Sequence, residues 1–255
     1  MALFDTHVHL CVDALWGDLE GVLARARDAG VTGMLAASTD LEDSARSLDA
    51  AQANPGFVLA AVGIHPEAAA NVPDDWQERL ERLVVEGHPA AIGECGLDGF
   101  HPVPPIEGQY DVFRFQVRMA LKHRLPLILH SRRAGEQVLA VVKEEGAERG
   151  AFHCIEDNEV LARGALSAGF HLGVGGTATY PRNDVLRGML KRLPRDRIVL
   201  ETDAPWLAPQ AVRGKTNEPA YLVHTAVVVA EAVGVAPEAL ADFTTANART
   251  LFRLD

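Results

Sequence analysis

Residues 5–10 of the chain read DTHVHL, and they complete a short apolar segment near its start. Successive side chains of a β-strand point to opposite faces, so His7 and His9 are expected to project to the same side. Two imidazoles that converge at a strand end are typical of metal ligands, but equally of two histidines in ordinary hydrogen bonds. The other segments of the chain are therefore needed to interpret this one.

Seven further apolar or β-branched segments follow, each short enough to be a strand buried on both faces. With the first, the predicted strands are residues 3–7, 32–38, 58–64, 90–96, 125–130, 151–154, 171–175 and 197–201. Amphipathic periodicity predicts helices at residues 16–29, 41–53, 75–86, 107–123, 135–148, 160–168, 219–233 and 237–252. This alternation predicts an α/β fold, a single-domain (β/α)8 TIM barrel over residues 1–255. An open doubly wound sheet is the alternative that the pattern leaves open.

The composition suits a protein with a large core, since 48% of the residues are hydrophobic and 23% are charged. The formal net charge of -11 opposes non-specific binding of a polyanion, because Lys and Arg side chains that neutralise phosphates drive such binding. Contact with nucleic acid is therefore expected only at a pocket where metal ions and clustered arginines reverse the local field.

The cysteines Cys11, Cys95 and Cys154 form no C-x-x-C pair, so neither a disulfide framework nor a zinc ribbon is predicted. Their number suits a reducing cytoplasm. The first residues lack a basic region followed by an apolar run, and no apolar stretch of about 18 residues occurs. We therefore expect a cytoplasmic protein that is neither exported nor inserted in a membrane, and we infer no obligate protein partner.

Ligand-type side chains stand at the ends of five predicted strands, where α/β barrels assemble their active sites. Six such residues at one edge are difficult to explain as solvated or helix-capping groups. Four imidazoles and two carboxylates exceed the needs of one ion, and a shared carboxylate such as Glu94 can bridge two. We therefore predict a two-metal site whose ligands are His7, His9, Glu94, His130, His153 and Asp203.

Eight motifs along the chain occur in an order that resembles one family. They are DTHVHL (5–10), GIHP (63–66), IGECGLD (92–98), Gln116, LHSR (129–132), HC (153–154), ETDAP (201–205) and RGKTNEP (213–219). Together they resemble the TatD-type deoxyribonucleases, a branch of the metal-dependent hydrolases with an amidohydrolase-like barrel. The resemblance covers essentially the whole chain. It implies the same six metal ligands and hydrolysis of DNA phosphodiester bonds, often as a 3′-5′ exonuclease.

Three loops depart from the pattern of that family. Gly99 and Phe100 follow Asp98, where two aromatic residues are usual. Arg133 stands where an acidic residue is usual, and residues 155–157 (IED) replace the usual FSG, so that an acidic side chain occupies the place of a small hydroxyl. These changes put the substrate preference in question and leave the expected metal chemistry unaffected.

Three further residues are expected around the metals. His65 ends the third predicted strand and is expected to contact a phosphate or to support a ligand. Arg213 lies in the loop after the last strand, where barrels frequently bind phosphate, and is expected to contact the substrate. Glu201 lies two residues before Asp203 on the same face, so it is expected to hydrogen-bond a ligating histidine or to pair with another buried base.

Loop residues after the strand ends have two interpretations each. Phe100, Tyr180 and Trp206 are candidates for stacking on the bases of a single strand, or they pack their own loops. Arg132 and Arg133 are candidates for a second phosphate contact, although Arg133 is as well suited to an acidic helix. The remaining histidines are interpreted as surface or capping residues: His88, His101, His123, His171 and His224.

The predicted function is hydrolysis of DNA at chain ends or in single strands by water that two divalent ions activate. Glu94 and Asp203 are the predicted catalytic residues, Glu94 as the bridging ligand and Asp203 also as the acceptor of the water's proton. Histidine-rich ligation suits zinc, manganese or iron, whereas the family resemblance indicates magnesium, so the identity of the metal stays open.

Two other classes of function are compatible with such a barrel. The first is a hydrolase of a carbonyl substrate, such as an amide, an ester or an aminoacyl-tRNA. That class typically bridges its metals with a modified lysine, whereas the fourth predicted strand offers Glu94 and no lysine. The second is a metal-carrying binding protein without turnover, which open coordination positions and a water-accessible mouth disfavour.

Overall fold

The computed structural model describes residues 1–101 and 104–254. Within these residues the eight predicted strands form one parallel sheet in the order β1 to β8. The strands are β1 Leu3–Val8, β2 Val31–Ala36, β3 Val58–Val62, β4 Ala91–Gly96, β5 Leu127–His130, β6 Gly150–Phe152, β7 His171–Val174 and β8 Ile198–Leu200. Their order and direction confirm the predicted (β/α)8 barrel.

Helices alternate with the strands. They are α1 Asp13–Trp16, α2 Leu19–Asp28, α3 Leu41–Ala53, α4 Trp76–Gly87, α5 Ile106–His123, α6 Gly135–Glu145, α7 Glu159–Ser167, α8 Asp184–Leu190, α9 Leu222–Val233 and α10 Pro237–Phe252. The predicted helix at residues 16–29 corresponds to α2, which begins only at Leu19 because Asp18 has a non-helical conformation, and the short α1 before it was not predicted. The sequence prediction also missed α8, whose seven residues are too few to show helical periodicity.

Short 3-10 helices lie in several of the loops. They are Pro66–Asn71, Gly176–Thr179, Arg195–Arg197, Gln210–Val212 and Pro219–Tyr221. The 3-10 helix Pro66–Asn71 lies in the loop after β3, and Gly176–Thr179 lies in the loop after β7. Both loops are at the C-terminal end of the barrel. This end carries the polar side chains described below, whereas large apolar side chains such as Phe113, Phe152 and Phe170 fill the core.

The barrel closes between β1 and β8 through few contacts. His7 accepts a backbone hydrogen bond from Asp203 (2.9 Å), and His9 donates one to Ala204 (2.8 Å). Deeper in the barrel, the buried Asp5 carboxylate accepts hydrogen bonds from the N–H and hydroxyl of Thr202, at 2.9 and 2.6 Å. Burial raises the pKa of Asp5 to about 7. Closure of the barrel therefore brings the segments that carry His7, His9 and Asp203 together.

The C-terminal helices pack against the closing strands. α10 contacts β1, β8 and α9, and its Leu240, Ala248 and Leu251 are buried. No single helix in the described part of the chain is long and apolar enough to cross a membrane. The segments Pro219–Val233 and Pro237–Phe252 reach that length and composition only as a pair, bent by 104°.

We expect Asp5→Ala to lower the free energy of unfolding by about 3 kcal/mol. The substitution leaves the buried N–H and hydroxyl of Thr202 without their acceptor, and each such loss costs about 1–3 kcal/mol. Asp40→Ala is the matched control, because Asp40 also accepts two backbone N–H groups but at the exposed start of α3. Its loss should cost about 1 kcal/mol. Urea unfolding measures both, and equal values would contradict the importance of this contact.

Candidate active site

Glu94 lies in β4 at the centre of the C-terminal end, and only 1% of it is exposed. Its Oε2 lies 3.3 Å from His7 Nε2 and 3.2 Å from His9 Nε2. Asp203 Oδ1 is 3.6 Å from the first of these nitrogens and 3.4 Å from the second. One carboxylate oxygen of Glu94 thus belongs to a group of four ligand-type atoms.

The other oxygen of Glu94 belongs to a second group. Oε1 lies 2.7 Å from both His130 Nδ1 and His153 Nε2, and these two nitrogens are 3.2 Å apart. His65 Nε2 lies beside them, 3.3 Å from His130 Nδ1 and 3.8 Å from Glu94 Oε1. The six predicted metal ligands therefore lie in one pocket, and His65 adjoins the second group.

The distances of 3.2–3.6 Å from Glu94 Oε2 and Asp203 Oδ1 to His7 and His9 fit metal coordination. Ligand atoms about 2.0–2.2 Å from a zinc ion at tetrahedral angles lie roughly 3.3–3.6 Å from one another. His7 and His9 turn their Nε2 atoms to within 3.0 Å of each other. Their buried Nδ1 atoms have no hydrogen-bond partner among the described residues. The polar contacts of both rings among the described residues are therefore made by Nε2, the atom that would bind a cation.

Burial and mutual contacts shift the pKa values of this group in different directions. Burial lowers the pKa of His7 to about 4. Burial also acts to lower the pKa of His9, but its contacts with Asp203 and Glu94 raise it to about 10. Burial opposes ionisation of Glu94, yet His153 and His7 hold the pKa of its carboxyl well below the usual range. The group thus combines an ionised Glu94 carboxylate with a protonated His9, and a cation bound there would displace the proton.

Asp98 holds His130 from behind, a role that sequence analysis did not assign. Its Oδ2 lies 2.9 Å from His130 Nε2, so His130 turns Nδ1 toward Glu94. Its Oδ1 accepts the backbone N–H groups of Phe100 and His101, at 2.7 and 2.8 Å. A carboxylate behind a ligating histidine fixes the ring's tautomer and orientation. Asp98 belongs to the family-like motif IGECGLD, but the motif does not indicate that the loop turns this carboxylate toward His130.

Glu201 is buried beside His153, but it does not hydrogen-bond the ring. Its Oε1 is 3.8 Å from His153 Nδ1, too long for a direct hydrogen bond, and accepts the backbone N–H of Cys154 instead. Its Oε2 has no hydrogen-bond partner within the described ranges. Burial raises the pKa of Glu201 to about 8.

A cavity of about 1050 Å³ opens above the two groups. Arg213 lines it, and its guanidinium lies 4.1 Å from the centre of the Tyr180 ring. Tyr180 is only 5% exposed and donates its hydroxyl proton to the carbonyl of Ala208, so it packs its loop and offers no free stacking face. Trp206 is 47% exposed, lines the cavity and meets the His9 ring edge-on. Of these two aromatic residues, Trp206 alone is accessible.

Two histidines interpreted as surface or capping residues have neighbours that the sequence did not indicate. His101 lies at the edge of the cavity with 35% of its side chain exposed, and its Nδ1 is 2.9 Å from Asp98 Oδ2 and 3.1 Å from Glu67 Oε1. His171 is buried at the start of β7, at the opposite end of the barrel. The surface interpretation is therefore wrong for His171.

The model of the family "TatD related DNase" matches residues 4–253. The chain belongs to the TatD family. YabD of Bacillus subtilis, described as an uncharacterized metal-dependent hydrolase, is 36% identical over 99% of this chain and all of its own length. A protein of Erwinia billingiae named 3′-5′ ssDNA/RNA exonuclease TatD is 35% identical over 99% of each chain.

A solved structure extends the likeness to three dimensions. The crystal structure of YjjV, a TatD homolog from Escherichia coli K12, is 32% identical and matches with a TM-score of 0.93. The match covers 99% of this chain and 98% of the other. This TatD-family chain is therefore a metal-dependent hydrolase, the enzyme class that the strand-end residues predicted.

In this TatD-family site, Asp98→Asn should lower the affinity for Mn²⁺ or Zn²⁺ about tenfold to a hundredfold, the usual effect of losing such a partner. The amide keeps an acceptor for the loop N–H groups but removes the acceptor for His130. Asp157→Asn is the control, because Asp157 lines the same cavity and forms no ion pair among the described residues. Metal titration by calorimetry compares them, and equal affinities would argue against the orienting role.

Proposed function

We propose that this chain hydrolyses phosphodiester bonds of DNA with two divalent metal ions, as a 3′-5′ exonuclease on chain ends or single strands. The observation that carries the proposal is the division of Glu94 between two groups of ligand atoms. His7, His9 and Asp203 would hold one ion together with Oε2. His130 and His153 would hold the other together with Oε1. The name of the Erwinia billingiae relative supports this substrate class.

When bound, the two ions activate a water molecule and neutralise the oxygens of the phosphate. Asp203 turns Oδ1 toward His7 and His9, so its Oδ2 is the atom we assign to accept the water's proton. Asp203 lies at the floor of the cavity, where a phosphate held at the metals would meet it. The mechanism needs no covalent intermediate with the enzyme.

His65 suits a phosphate contact better than metal ligation. Its Nδ1 accepts the backbone N–H of Glu67 at 3.2 Å, so the neutral ring carries its proton on Nε2. That Nε2–H points to the second group of ligand atoms, where it can donate to a phosphate oxygen. Arg213 supplies a second donor from the opposite loop, and no carboxylate pairs with it among the described residues.

The depth of the site favours an unpaired strand. His7, His9 and Glu94 are nearly inaccessible at the floor of the cavity. A single nucleotide or strand end can enter such a mouth, whereas an intact duplex is held away by its second strand. Trp206 at the mouth offers an exposed ring on which an entering base can stack.

Nuclease activity should require added divalent metal and disappear with chelator. Glu94→Ala should reduce turnover to background, because it removes the ligand shared by both groups. Arg213→Ala should lower kcat/KM roughly tenfold to a hundredfold, the loss expected for one charged hydrogen bond. Assays on a labelled single strand with Mg²⁺, Mn²⁺ or Zn²⁺ measure both variants. Equal residual activity in the two would refute the ranking.

A single strand should be cut faster than a blunt linear duplex, and a covalently closed duplex circle should be cut slowest. Few phosphates are contacted, so the logarithm of the rate constant should fall only gently with the logarithm of the salt concentration. Rates on the three substrates at several salt concentrations give the comparison. The proposal of an end-directed enzyme would be wrong if the closed circle were cut fastest or if the rate fell steeply with salt.

A further inference from the structure

Three exposed residues beside the metal pocket form a cluster that the chemistry above does not use. The guanidinium carbon of Arg132 lies 3.8 Å from the centre of the Phe100 ring, and that of Arg133 lies 4.7 Å from it. Phe100 is 43% exposed, and both arginines are exposed as well. We call Phe100, Arg132 and Arg133 the rim cluster.

The arginines of the rim cluster differ from several arginines on the outer helices of the barrel. Arg114, Arg118 and Arg192 pair with glutamates on neighbouring helices. Arg132 and Arg133 have no carboxylate partner in the part of the chain that the structure describes. Their N–H donors are therefore available to a ligand, and the aromatic ring holds the guanidinium groups without neutralising them.

Gly99 allows the two loops of the rim cluster to approach each other. Its N–H donates to the carbonyl of Arg132 at 2.9 Å, which joins the loop after β4 to the loop after β5. A Cβ atom at this position would lie 2.9 Å from the Arg133 carbonyl oxygen, so a larger residue would push the loops apart. Gly99 and Arg133 are two of the departures from the family pattern, and together they create the cluster.

The rim cluster is connected directly to the metal pocket. Arg132 lines the cavity above Glu94. Asp98 accepts the N–H of Phe100 with one oxygen and contacts His130 with the other. A strand that leaves the pocket past Arg132 would therefore meet the Phe100 ring next.

We propose that the rim cluster binds the part of a single-stranded nucleic acid that extends beyond the cleaved bond. Phe100 is 43% exposed despite the two guanidinium groups beside its ring, whereas Tyr180 is only 5% exposed. A base stacks on this exposed part of Phe100 and on the outer guanidinium planes, and a phosphate accepts hydrogen bonds from Arg133. Aromatic rings and arginine planes are the surfaces on which unpaired bases stack, and arginine binds phosphate through paired donors. This assignment rests on the proposed function, because it extends the same site along the substrate.

The test compares a long ligand with a short one on the metal-loaded protein. The long ligand is a fluorescent strand of eight deoxythymidines with phosphorothioate linkages, which resist hydrolysis. The short one is the corresponding dinucleotide, which fills the pocket alone. Phe100→Leu and Arg133→Ala should each raise the Kd of the long strand about fivefold to tenfold, the low end for stacking on an exposed ring. The Kd of the dinucleotide should not change.

The salt dependence of Kd separates the phosphate contact of Arg133 from base stacking on Phe100. Loss of one phosphate contact should reduce the slope of log Kd against log salt by about 0.7 in Arg133→Ala. Phe100→Leu should keep the slope of the unmodified protein. Arg27→Ala is the matched control, because the Arg27 guanidinium also lies over an aromatic ring, 4.0 Å from the centre of Phe57, away from the pocket.

An unchanged Kd of the long strand in both variants would overturn the rim cluster as a subsite. So would equal weakening of the long strand and the dinucleotide, because the effect would then act through the metal pocket. Hydrolysis of an unmodified strand is measured in parallel. Cluster-dependent binding without hydrolysis would support the subsite and contradict the proposed nuclease, whereas hydrolysis with cluster-independent binding would do the reverse.

Discussion

The C-terminal end of this barrel depends on one buried carboxylate, that of Glu94. A charge removed from water is costly unless opposite charges or hydrogen bonds compensate it. Both oxygens of Glu94 meet this requirement through imidazoles at the ends of three other strands. His7 and His9 lie on one side, and His130 and His153 lie on the other. Without the carboxylate, the nearest anions would be Asp203 beside His7 and His9 and Asp98 beside His130, and nothing would join the two sides. Glu94 is therefore the residue that the two groups of ligand atoms share.

A second layer of buried carboxylates sets the position of the first. Asp5 in β1 accepts hydrogen bonds from Thr202 in the segment after β8. The contacts that close the barrel therefore also bring Asp203 next to His7. Asp98 selects which nitrogen of His130 faces the pocket. Groups behind the ligands thus tie the geometry of the site to the fold itself.

Sequence analysis predicted the barrel and the six residues that meet at one of its ends because both depend on local rules. Strand alternation and the position of strand ends are readable over a few residues, as at His7 and His9. The role of Asp98 and the tautomer of His65 were not readable, because they depend on the three-dimensional paths of the loops after β4 and β3. Tyr180 was ambiguous for the same reason, since only packing shows that Arg213 covers its ring.

The distribution of arginines is compatible with the proposed polyanionic substrate of this acidic protein. The net charge of -11 repels nucleic acid at a distance, and several arginines on the outside of the barrel, such as Arg114, Arg118 and Arg192, pair with glutamates. Within the described residues, Arg132, Arg182 and Arg213 line the cavity without a carboxylate partner. The mouth of the cavity thus carries arginine charge that is paired with no carboxylate of the described residues. Such a protein selects its substrate by what enters the pocket, because little affinity is gained along the outside of the barrel.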